Sequence, residues 1–250
     1  MELERKKLQG VFNILSFNRH YYVIGFIILA LIMITWISLG WSNLFLSIIV
    51  GAFIYGLLMP LIVSAYVYDF SGYYNFEWLE NCNITDSKMQ HIININAGFD
   101  ETSYILNTHL PKSNLQVFDF YNPKQHTEPA IIRARKVSLI YPKTVQIKTN
   151  RIPLKDKSID LIFLLSAAHE IRPHKEKVQF LKECKRVSKP KGRIIMIEHL
   201  RDLPNFLAFS VGFTHFFSRD TWKKAYYEAG FSSIKETKFT PFMSIFNCTI

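Results

Sequence analysis

Residues 21–68 contain no Asp, Glu, Lys or Arg, and nearly all of them are apolar or aromatic. A helix needs about 20 mostly apolar residues to cross a bilayer, so this stretch is long enough for two crossings. The sequence Gly40-Trp41-Ser42-Asn43 divides it into the runs 21–39 and 44–68. We therefore predict a transmembrane helical hairpin.

The hairpin is expected to be retained and oriented by charge. The first run is longer than the apolar region of a secretory signal, no small-residue cleavage site follows, and a second apolar run comes at once. Arg5, Lys6, Lys7 and Arg19 precede the first run, the connecting turn is uncharged, and most lysines follow the second run. Positive charge favours the cytoplasmic side, which predicts an inner-membrane protein with both termini in the cytoplasm.

The chain has a formal net charge of +10. Basic residues beside a membrane anchor are attracted to anionic headgroups, by about 1 kcal/mol for each well-placed Lys or Arg. The sequence has no aromatic and basic motif typical of RNA binding. Membrane lipids rather than nucleic acid are therefore the predicted partners. Small residues in the second run, Gly51, Ala52 and Gly56, allow close helix contact and predict hairpin packing or a homo-oligomer.

Two segments flank the hairpin. Residues 1–20 show an approximate helical stripe of apolar residues with a basic side, which predicts an amphipathic helix at the cytoplasmic interface. Residues 69–90 are polar and aromatic, and are predicted to be a juxtamembrane linker. Its aromatic residues Tyr73, Tyr74, Phe76 and Trp78 are expected either to anchor the chain at the interface or to form a lid over a site.

Residues 91–250 alternate short β-rich runs with helical stretches, a pattern typical of βαβ units. This predicts an α/β domain with a seven-stranded, mostly parallel sheet and flanking helices. The predicted strands are 91–96, 115–119, 144–149, 159–165, 193–198, 233–237 and about 243–249, the last two forming a closing hairpin. The clearest predicted helices are 101–109, 128–137, 175–188 and 220–229.

Polar residues follow several of these strands. In a parallel sheet, ligands bind at the carboxyl ends of the strands. The turn after the first strand has one glycine, Gly98, whereas a dinucleotide fingerprint needs several, which disfavours a nucleotide-dependent reductase. Asp119 lies about 20 residues further on, where an acidic residue can accept both hydroxyls of a ribose. The alternative is that Asp119 caps a loop with Asn122 and Pro123.

The second half of this domain resembles a known family. Residues 152–165 form a turn containing Ile152-Pro153-Leu154 and then a strand that begins Ile159-Asp160. Residues 186–193, Arg-Val-Ser-Lys-Pro-Lys-Gly-Arg, then precede a strand that ends in Glu198. These features are similar to those of the S-adenosylmethionine-dependent methyltransferases with a seven-stranded Rossmann-like fold, and the resemblance covers about residues 91–250.

The resemblance implies S-adenosylmethionine as the cofactor. The family's first motif, Asp-x-Gly-x-Gly-x-Gly, is eroded here, because Asn94, Asn96 and Asp100 replace its Asp and two of its glycines. Asp119 matches the ribose acid of the family, and Thr149 and Asn150 lie where the family contacts adenine. The cofactor-binding residues that the resemblance implies are Asn94, Asn96, Ala97, Gly98, Asp119, Thr149, Asn150 and Ser166.

Three further loops carry candidate catalytic groups, which are His169 and Glu170, His199 after Glu198, and His215. If these loops converge, imidazole and carboxylate groups line one pocket, where they can align an acceptor and take its proton. Alternatively, Glu170 forms a surface ion pair with Arg172, and the histidines are structural. We predict no metal: a site built from the three histidines and a glutamate matches no short ligand motif.

The cysteines argue against a metal knuckle as well. Cys82, Cys184 and Cys248 are too few and too far apart for such a site or for a disulfide framework, and they fit a reducing cytosol.

The sequence thus predicts a membrane-anchored methyltransferase that acts on a small, hydrophobic or membrane-embedded acceptor. Residues 203–213 are unusually apolar, which predicts either ordinary helix packing or an apolar wall facing the bilayer. The alternative function is a methyltransferase-like domain that has lost its cofactor and serves as a membrane scaffold or binding module, and the eroded glycine turn favours it.

Overall fold

The computed structural model describes residues 5–250, so the first part of the predicted amphipathic segment lies outside the described residues. The described chain begins with helices α1 (Gln9–Phe17), α2 (Arg19–Leu39) and α3 (Asn43–Ser64). The turn between α2 and α3 contains Gly40 with φ +62°, a backbone conformation that glycine adopts without steric cost. The hydroxyl of Ser42 then caps α3 by accepting a hydrogen bond from the Phe45 N–H.

Helices α2 and α3 are both long and apolar enough to cross a membrane. The apolar stretch of α2 is 0% buried inside the structure and that of α3 is 6% buried. Neither stretch is therefore the packed core helix of a water-soluble domain.

The chain leaves α3 through one turn of π-helix, Ala65–Phe70, and reaches the short helix α4 (Trp78–Asn81). Tyr73, Phe76 and Trp78 are almost completely buried there. The indole of Trp78 donates a hydrogen bond to the Tyr73 carbonyl at 3.0 Å and packs edge-on against Phe163 of the sheet. These three side chains belong to the core of the domain, and they are not exposed as an interfacial anchor would be.

A seven-stranded sheet forms the centre of the domain, as predicted, with the order β3-β2-β1-β4-β5-β7-β6. All neighbouring strands are parallel except β7, which is antiparallel to both β5 and β6, so the sheet is mixed. The strands are β1 (His91–Asn96), β2 (Asn114–Asp119), β3 (Val145–Gln146), β4 (Ile159–Leu165), β5 (Ser188–His199), β6 (Ser233–Lys238) and β7 (Met243–Thr249). The remaining helices are α5 (Ser103–His109), α6 (Pro129–Val137), α7 (His174–Val187), α8 (Leu203–Phe209) and α9 (Arg219–Glu228).

Apolar layers cover both faces of the sheet. One layer is built on α7 and α9, with Phe180 and Trp222 at its centre. The other layer includes Val63 from the end of α3, Val67 from the π-helical turn, and Trp78. Strands covered on both faces are apolar along their whole length, which explains the unbroken run of apolar residues in β4. The end of the second apolar helix is therefore part of the core of the domain.

Helix α1 packs on the same domain. The Gly10 N–H donates to Asp69 at 2.9 Å, and the Gln9 side chain donates to Glu101 at 2.7 Å. The ring of Phe17 meets Phe99 edge-on. Helix α1 therefore lies against the turn that follows β1.

Candidate active site

The carboxyl ends of β1 and β2 lie side by side, with Asn96 opposite Asp119 in the parallel register. The Asn96 side chain accepts a hydrogen bond from the N–H of Gly98, which has φ +93°. The Asn94 amide donates to Ser103, and its buried carbonyl oxygen has no hydrogen-bond partner among the described residues. This turn therefore presents the Asn94 side-chain oxygen as an acceptor, and its glycine allows a ligand to come close to the backbone.

Asp119 is buried and already engaged. One carboxylate oxygen accepts a hydrogen bond from the Tyr121 N–H at 2.7 Å, and the other accepts from the Arg135 guanidinium at 2.7 Å. The same guanidinium lies over the Tyr121 ring. A Cβ placed on Gly98 would lie 2.6 Å from an Arg135 nitrogen and 2.9 Å from the Tyr121 side chain. The Arg135 side chain therefore covers both the glycine turn and the acid.

The other proposed cofactor residues lie around this end of the sheet. Ala97 is buried in the β1 turn. The Thr149 hydroxyl donates to Glu176 of α7 at 2.6 Å, while Asn150 is exposed. The Ser166 hydroxyl, directly after β4, lies 3.2 Å from the Tyr73 hydroxyl. Only the residues of β1 and β2 form a compact group around Asp119.

Imidazole and carboxylate side chains converge beyond β4 and β5. The His169 Nδ1 lies 2.7 Å from a Glu198 oxygen, and the His169 Nε2 lies 3.5 Å from Glu170. The His215 Nε2 approaches the same Glu170 oxygen at 3.9 Å, and its Nδ1 lies 3.2 Å from Glu128. The loops after β4 and β5 and the segment before α9 therefore form one cluster, which we call the His169 cluster: Glu128, His169, Glu170, Glu198 and His215.

Charge pairing dominates the protonation of this cluster. Burial by itself would lower the pKa of His169, but the charge and hydrogen bond of Glu198 and the contact with Glu170 raise it to about 10. Burial likewise opposes ionisation of Glu170, yet the contact with His169 and the charge of that ring lower the pKa of Glu170 to about 2. At neutral pH, the structure therefore holds an imidazolium between carboxylates.

His199 lies outside this cluster. Its Nδ1 contacts the Asn205 carbonyl oxygen and the Phe242 carbonyl, both at 3.0 Å, and its Nε2 lies 2.9 Å from the Tyr68 hydroxyl. Two acceptors at Nδ1 place the proton there, so Nε2 accepts from Tyr68. Burial lowers the pKa of His199 to about 4. Both ring nitrogens are therefore engaged: Nε2 joins the end of β5 to the π-helical turn, and Nδ1 joins it to α8 and to the segment before β7.

Residues 121–196 match the family model described as "Methyltransferase domain". A solved S-adenosylmethionine-dependent methyltransferase from Aquifex aeolicus is 18% identical, with a TM-score of 0.53 over 73% of this chain and 94% of that one. The PH0226 protein from Pyrococcus horikoshii OT3 is 15% identical, with a TM-score of 0.50 over 70% of this chain and 89% of that one. No curated protein matches the sequence.

The domain has the fold of the class I S-adenosylmethionine-dependent methyltransferases, and residues 121–196 of it match a methyltransferase family model. The strand order and the antiparallel β7 agree with this fold, and the cofactor of the family is S-adenosylmethionine. The resemblance found in the sequence is thereby confirmed for the fold, and the family model supports it over residues 121–196. The roles of individual residues in the methyltransferase domain remain predictions.

The residues at β1 and β2 fit this cofactor in their chemistry. A buried carboxylate ends β2, a positive-φ glycine follows β1, and the Asn94 carbonyl oxygen has no partner among residues 5–250. The space above Gly98 is covered by a side chain that is 38% exposed, that of Arg135. A long, partly exposed arginine can swing aside, so the ion pair leaves Asp119, the predicted ribose acid, able to accept a ligand.

This arrangement predicts that the Arg135→Met substitution strengthens binding of S-adenosylmethionine two- to fivefold. Binding has to break the ion pair with Asp119, and a partly exposed pair contributes about 0–1 kcal/mol. Calorimetric titration of the purified chain measures the change. Arg133→Met is the matched control on the same helix, because Arg133 donates to the Phe17 carbonyl instead. Weaker binding by the Arg135 variant would mean that the guanidinium contacts the cofactor.

No sequence motif identifies three of the residues in the site. Arg135 and Glu128 come from the segment around α6, and Tyr68 comes from the apolar run. Their partners are distant in the chain, so their roles depend on tertiary packing. The only feature of the local sequence that could indicate them is the polar character of α6, the helix that follows β2 and its terminal Asp119.

Proposed function

We propose that the chain is a membrane-anchored enzyme that transfers a methyl group from S-adenosylmethionine to a small, hydrophobic acceptor in the bilayer. The observation that carries this proposal is the position of α8 beside the apolar helix α3. The Tyr55 hydroxyl of α3 donates to the Leu207 carbonyl of α8 at 2.7 Å. Tyr55 precedes the last residue of α3 by nine positions, or roughly 13 Å along the helix axis.

The outer side of this region is apolar. Leu203 is 67% exposed, Leu207 is 49% exposed, and Val211 in the following 3₁₀ turn is 79% exposed. Together with α3, these side chains form an apolar surface that leads toward the loop containing His215. Such a surface is favourable in contact with acyl chains and unfavourable in water.

The chemistry fits an acceptor with an oxygen or nitrogen nucleophile. When bound, S-adenosylmethionine supplies a methyl group whose bond to sulfur breaks as the acceptor bonds to it, which leaves S-adenosylhomocysteine and a proton. The His169 cluster is proposed to orient the acceptor and to receive that proton. The imidazolium of His169 can orient the acceptor but cannot take a proton, so Glu170 and His215 are the groups proposed to receive it. We assign His199 a structural role because both of its ring nitrogens are bonded.

The membrane arrangement is part of the proposal. Helices α2 and α3 are proposed to span the inner membrane with both termini in the cytoplasm, supported by the basic residues before α2 and the charge-free turn after it. Membrane lipids are the proposed partners. Association of hairpins through Gly51, Ala52 and Gly56 is a further proposal that an oligomer measurement in detergent tests.

The test is a comparison of lipid extracts from cells with and without the protein, by mass spectrometry. We expect at least one lipophilic species to gain the mass of one methylene only when the intact protein is present. Cells that express the Asp119→Ala variant are the control, because that variant keeps the anchor and lacks the ribose acid. No such species in any extract would contradict the proposed activity.

A membrane scaffold is the second candidate function. Its support is the Arg135 side chain, which covers Gly98 and occupies Asp119 as an ion-pair partner. Absence of S-adenosylmethionine or S-adenosylhomocysteine binding at millimolar concentration would favour the scaffold over the enzyme.

A further inference from the structure

The His169 cluster has an arrangement that the proposed acceptor role does not require. One nitrogen of His169, one nitrogen of His215 and one oxygen of Glu170 all lie within 4.8 Å of one another. The two Nε2 atoms share the same Glu170 oxygen as a neighbour, at 3.5 and 3.9 Å. Neither Nε2 has a closer hydrogen-bond partner among residues 5–250, so both ring nitrogens are directed toward the same carboxylate oxygen.

The opposite ring nitrogens are fixed by other carboxylates. The His169 Nδ1 lies 2.7 Å from Glu198, and Glu198 also accepts the main-chain N–H of His169 at 3.2 Å. The His215 Nδ1 lies 3.2 Å from Glu128. Without an ion, His169 carries a proton on each ring nitrogen, and a bound ion would displace the one on Nε2. The neutral imidazole that results donates its Nδ1 proton to the carboxylate and presents the Nε2 lone pair, as metal-binding histidines do.

The loops that carry these histidines are held together by Arg172. One nitrogen of its guanidinium donates to the His215 carbonyl at 2.6 Å and to the His169 carbonyl at 3.3 Å. The same guanidinium lies over the Phe217 ring. Arg172 therefore holds the main chains of the two loops together, so the positions of the two histidines do not depend on their side-chain contacts alone.

We infer that His169, Glu170 and His215 form a binding site for a divalent transition-metal ion, with Glu198 and Glu128 orienting the two imidazoles. Two imidazoles and one carboxylate are the ligands of catalytic zinc sites and of non-haem iron sites, both of which leave coordination positions open. Ligand atoms about 2.1 Å from zinc in tetrahedral geometry lie about 3.4 Å apart. The separations of 3.5 and 3.9 Å from Glu170 are close to this value, and the three ligand atoms, which lie within 4.8 Å of one another, have to draw together by up to about 1.4 Å.

The third histidine does not belong to this site. His199 uses one ring nitrogen for the Tyr68 hydroxyl and the other for Asn205 and Phe242, so it has no lone pair directed at the cluster. Sequence spacing alone could not separate His199 from the other two. An ion at this site could ligate a hydroxyl-bearing acceptor and lower the pKa of that hydroxyl. Metal binding does not depend on that role.

The test uses the full chain in detergent, purified through a tag without histidine, stripped with a chelator, and titrated with Zn²⁺. We expect one ion per chain, and loss of that ion in each of the variants His169→Ala, Glu170→Ala and His215→Ala. Bound Co²⁺ is expected to give visible absorption in the unmodified chain that the same variants lose. His174→Ala is the matched control, because His174 is partly exposed and pairs with Glu228 elsewhere on the surface.

A further variant distinguishes loss of the metal site from misfolding. Glu128 is 53% exposed, so Glu128→Gln should leave the fold intact while weakening Zn²⁺ binding about 10- to 100-fold. Circular dichroism of each variant verifies folding. Absence of stoichiometric Zn²⁺ binding in the unmodified chain would overturn the inference, as would equal binding by all three ligand variants. Either result leaves the methyl-transfer proposal standing, because that proposal is tested by the methylated product.

Discussion

The Asp119→Ala variant is expected to bind S-adenosylmethionine at least about 100-fold more weakly than the unmodified chain. In the proposed complex, this carboxylate accepts hydrogen bonds from both ribose hydroxyls. Hydrogen bonds to a charged group contribute about 1.5–3 kcal/mol each, so losing two exceeds the roughly 2.7 kcal/mol that corresponds to 100-fold. The substitution also leaves Arg135 without its partner beside Gly98. Calorimetric titration measures the loss directly.

Two further variants make this result specific. Asp119→Asn keeps an acceptor for the Tyr121 N–H but removes the charge, so its affinity is expected to lie between those of the alanine variant and the unmodified chain. Asp156→Ala is the control for a change in net charge, because Asp156 is 69% exposed and pairs with Arg186. Unchanged affinity of a correctly folded Asp119→Ala variant would refute the assignment of the ribose acid.

The central strands could be predicted from the sequence because their apolar runs are unbroken. The predicted and observed bounds agree for β1 and β4, which are buried between two apolar layers. The prediction was too long at β3, where only Val145 and Gln146 pair with β2. It was too short at β5, which begins at Ser188, where a lysine-rich turn interrupts the apolar pattern. Whether a residue pairs at the edge of the sheet or within a charged turn depends on the neighbouring strand, and the periodicity of a single segment contains no information about that strand.

The site could be predicted as far as the strand ends themselves. The carboxyl ends of parallel strands meet at one edge, so the sequence brings Asp119, His169 and His199 into one region. The sequence pattern does not identify the side chains that pair with these residues, and those pairs determine the role of each residue. Arg135 pairs with Asp119, and Tyr68 bonds to His199, across 16 and 131 positions of the chain. These contacts distinguish His199, which is bonded to Tyr68, Asn205 and Phe242, from His169, which faces carboxylates.

The prediction from sequence is least complete for the charge-free stretch, residues 21–68. Its apolar composition indicates burial but does not distinguish lipid from a protein core. Most of α2 and α3 is exposed on the protein, whereas Val63 and Val67 are packed under the sheet. The boundary between the exposed apolar helices and the domain therefore lies inside the apolar run.

Removal of residues 1–68 is consequently expected to unfold the methyltransferase domain. The truncation removes Val63 and Val67, whose burial contributes about 1.5–3 kcal/mol each. It also removes Arg5, which pairs with the buried carboxylates of Glu101 and Asp69. Loss of one partner of a buried ion pair costs about 3–5 kcal/mol. These losses together approach the whole stability of a typical domain, about 5–15 kcal/mol.

The matched control is a linker variant, in which a flexible Gly/Ser segment replaces only residues 18–62. It keeps α1, the end of α3 and the π-helical turn, and it lacks the apolar surface of the hairpin. We expect the linker variant to melt cooperatively in detergent-free buffer by circular dichroism, and the chain of residues 69–250 to show no cooperative transition and rapid proteolysis. Equal melting temperatures for the two shortened chains would mean that the first 68 residues are only a tether. The expected difference would instead show that α1 and the end of α3 stabilise the fold of the domain, in whose core Val63 and Val67 lie.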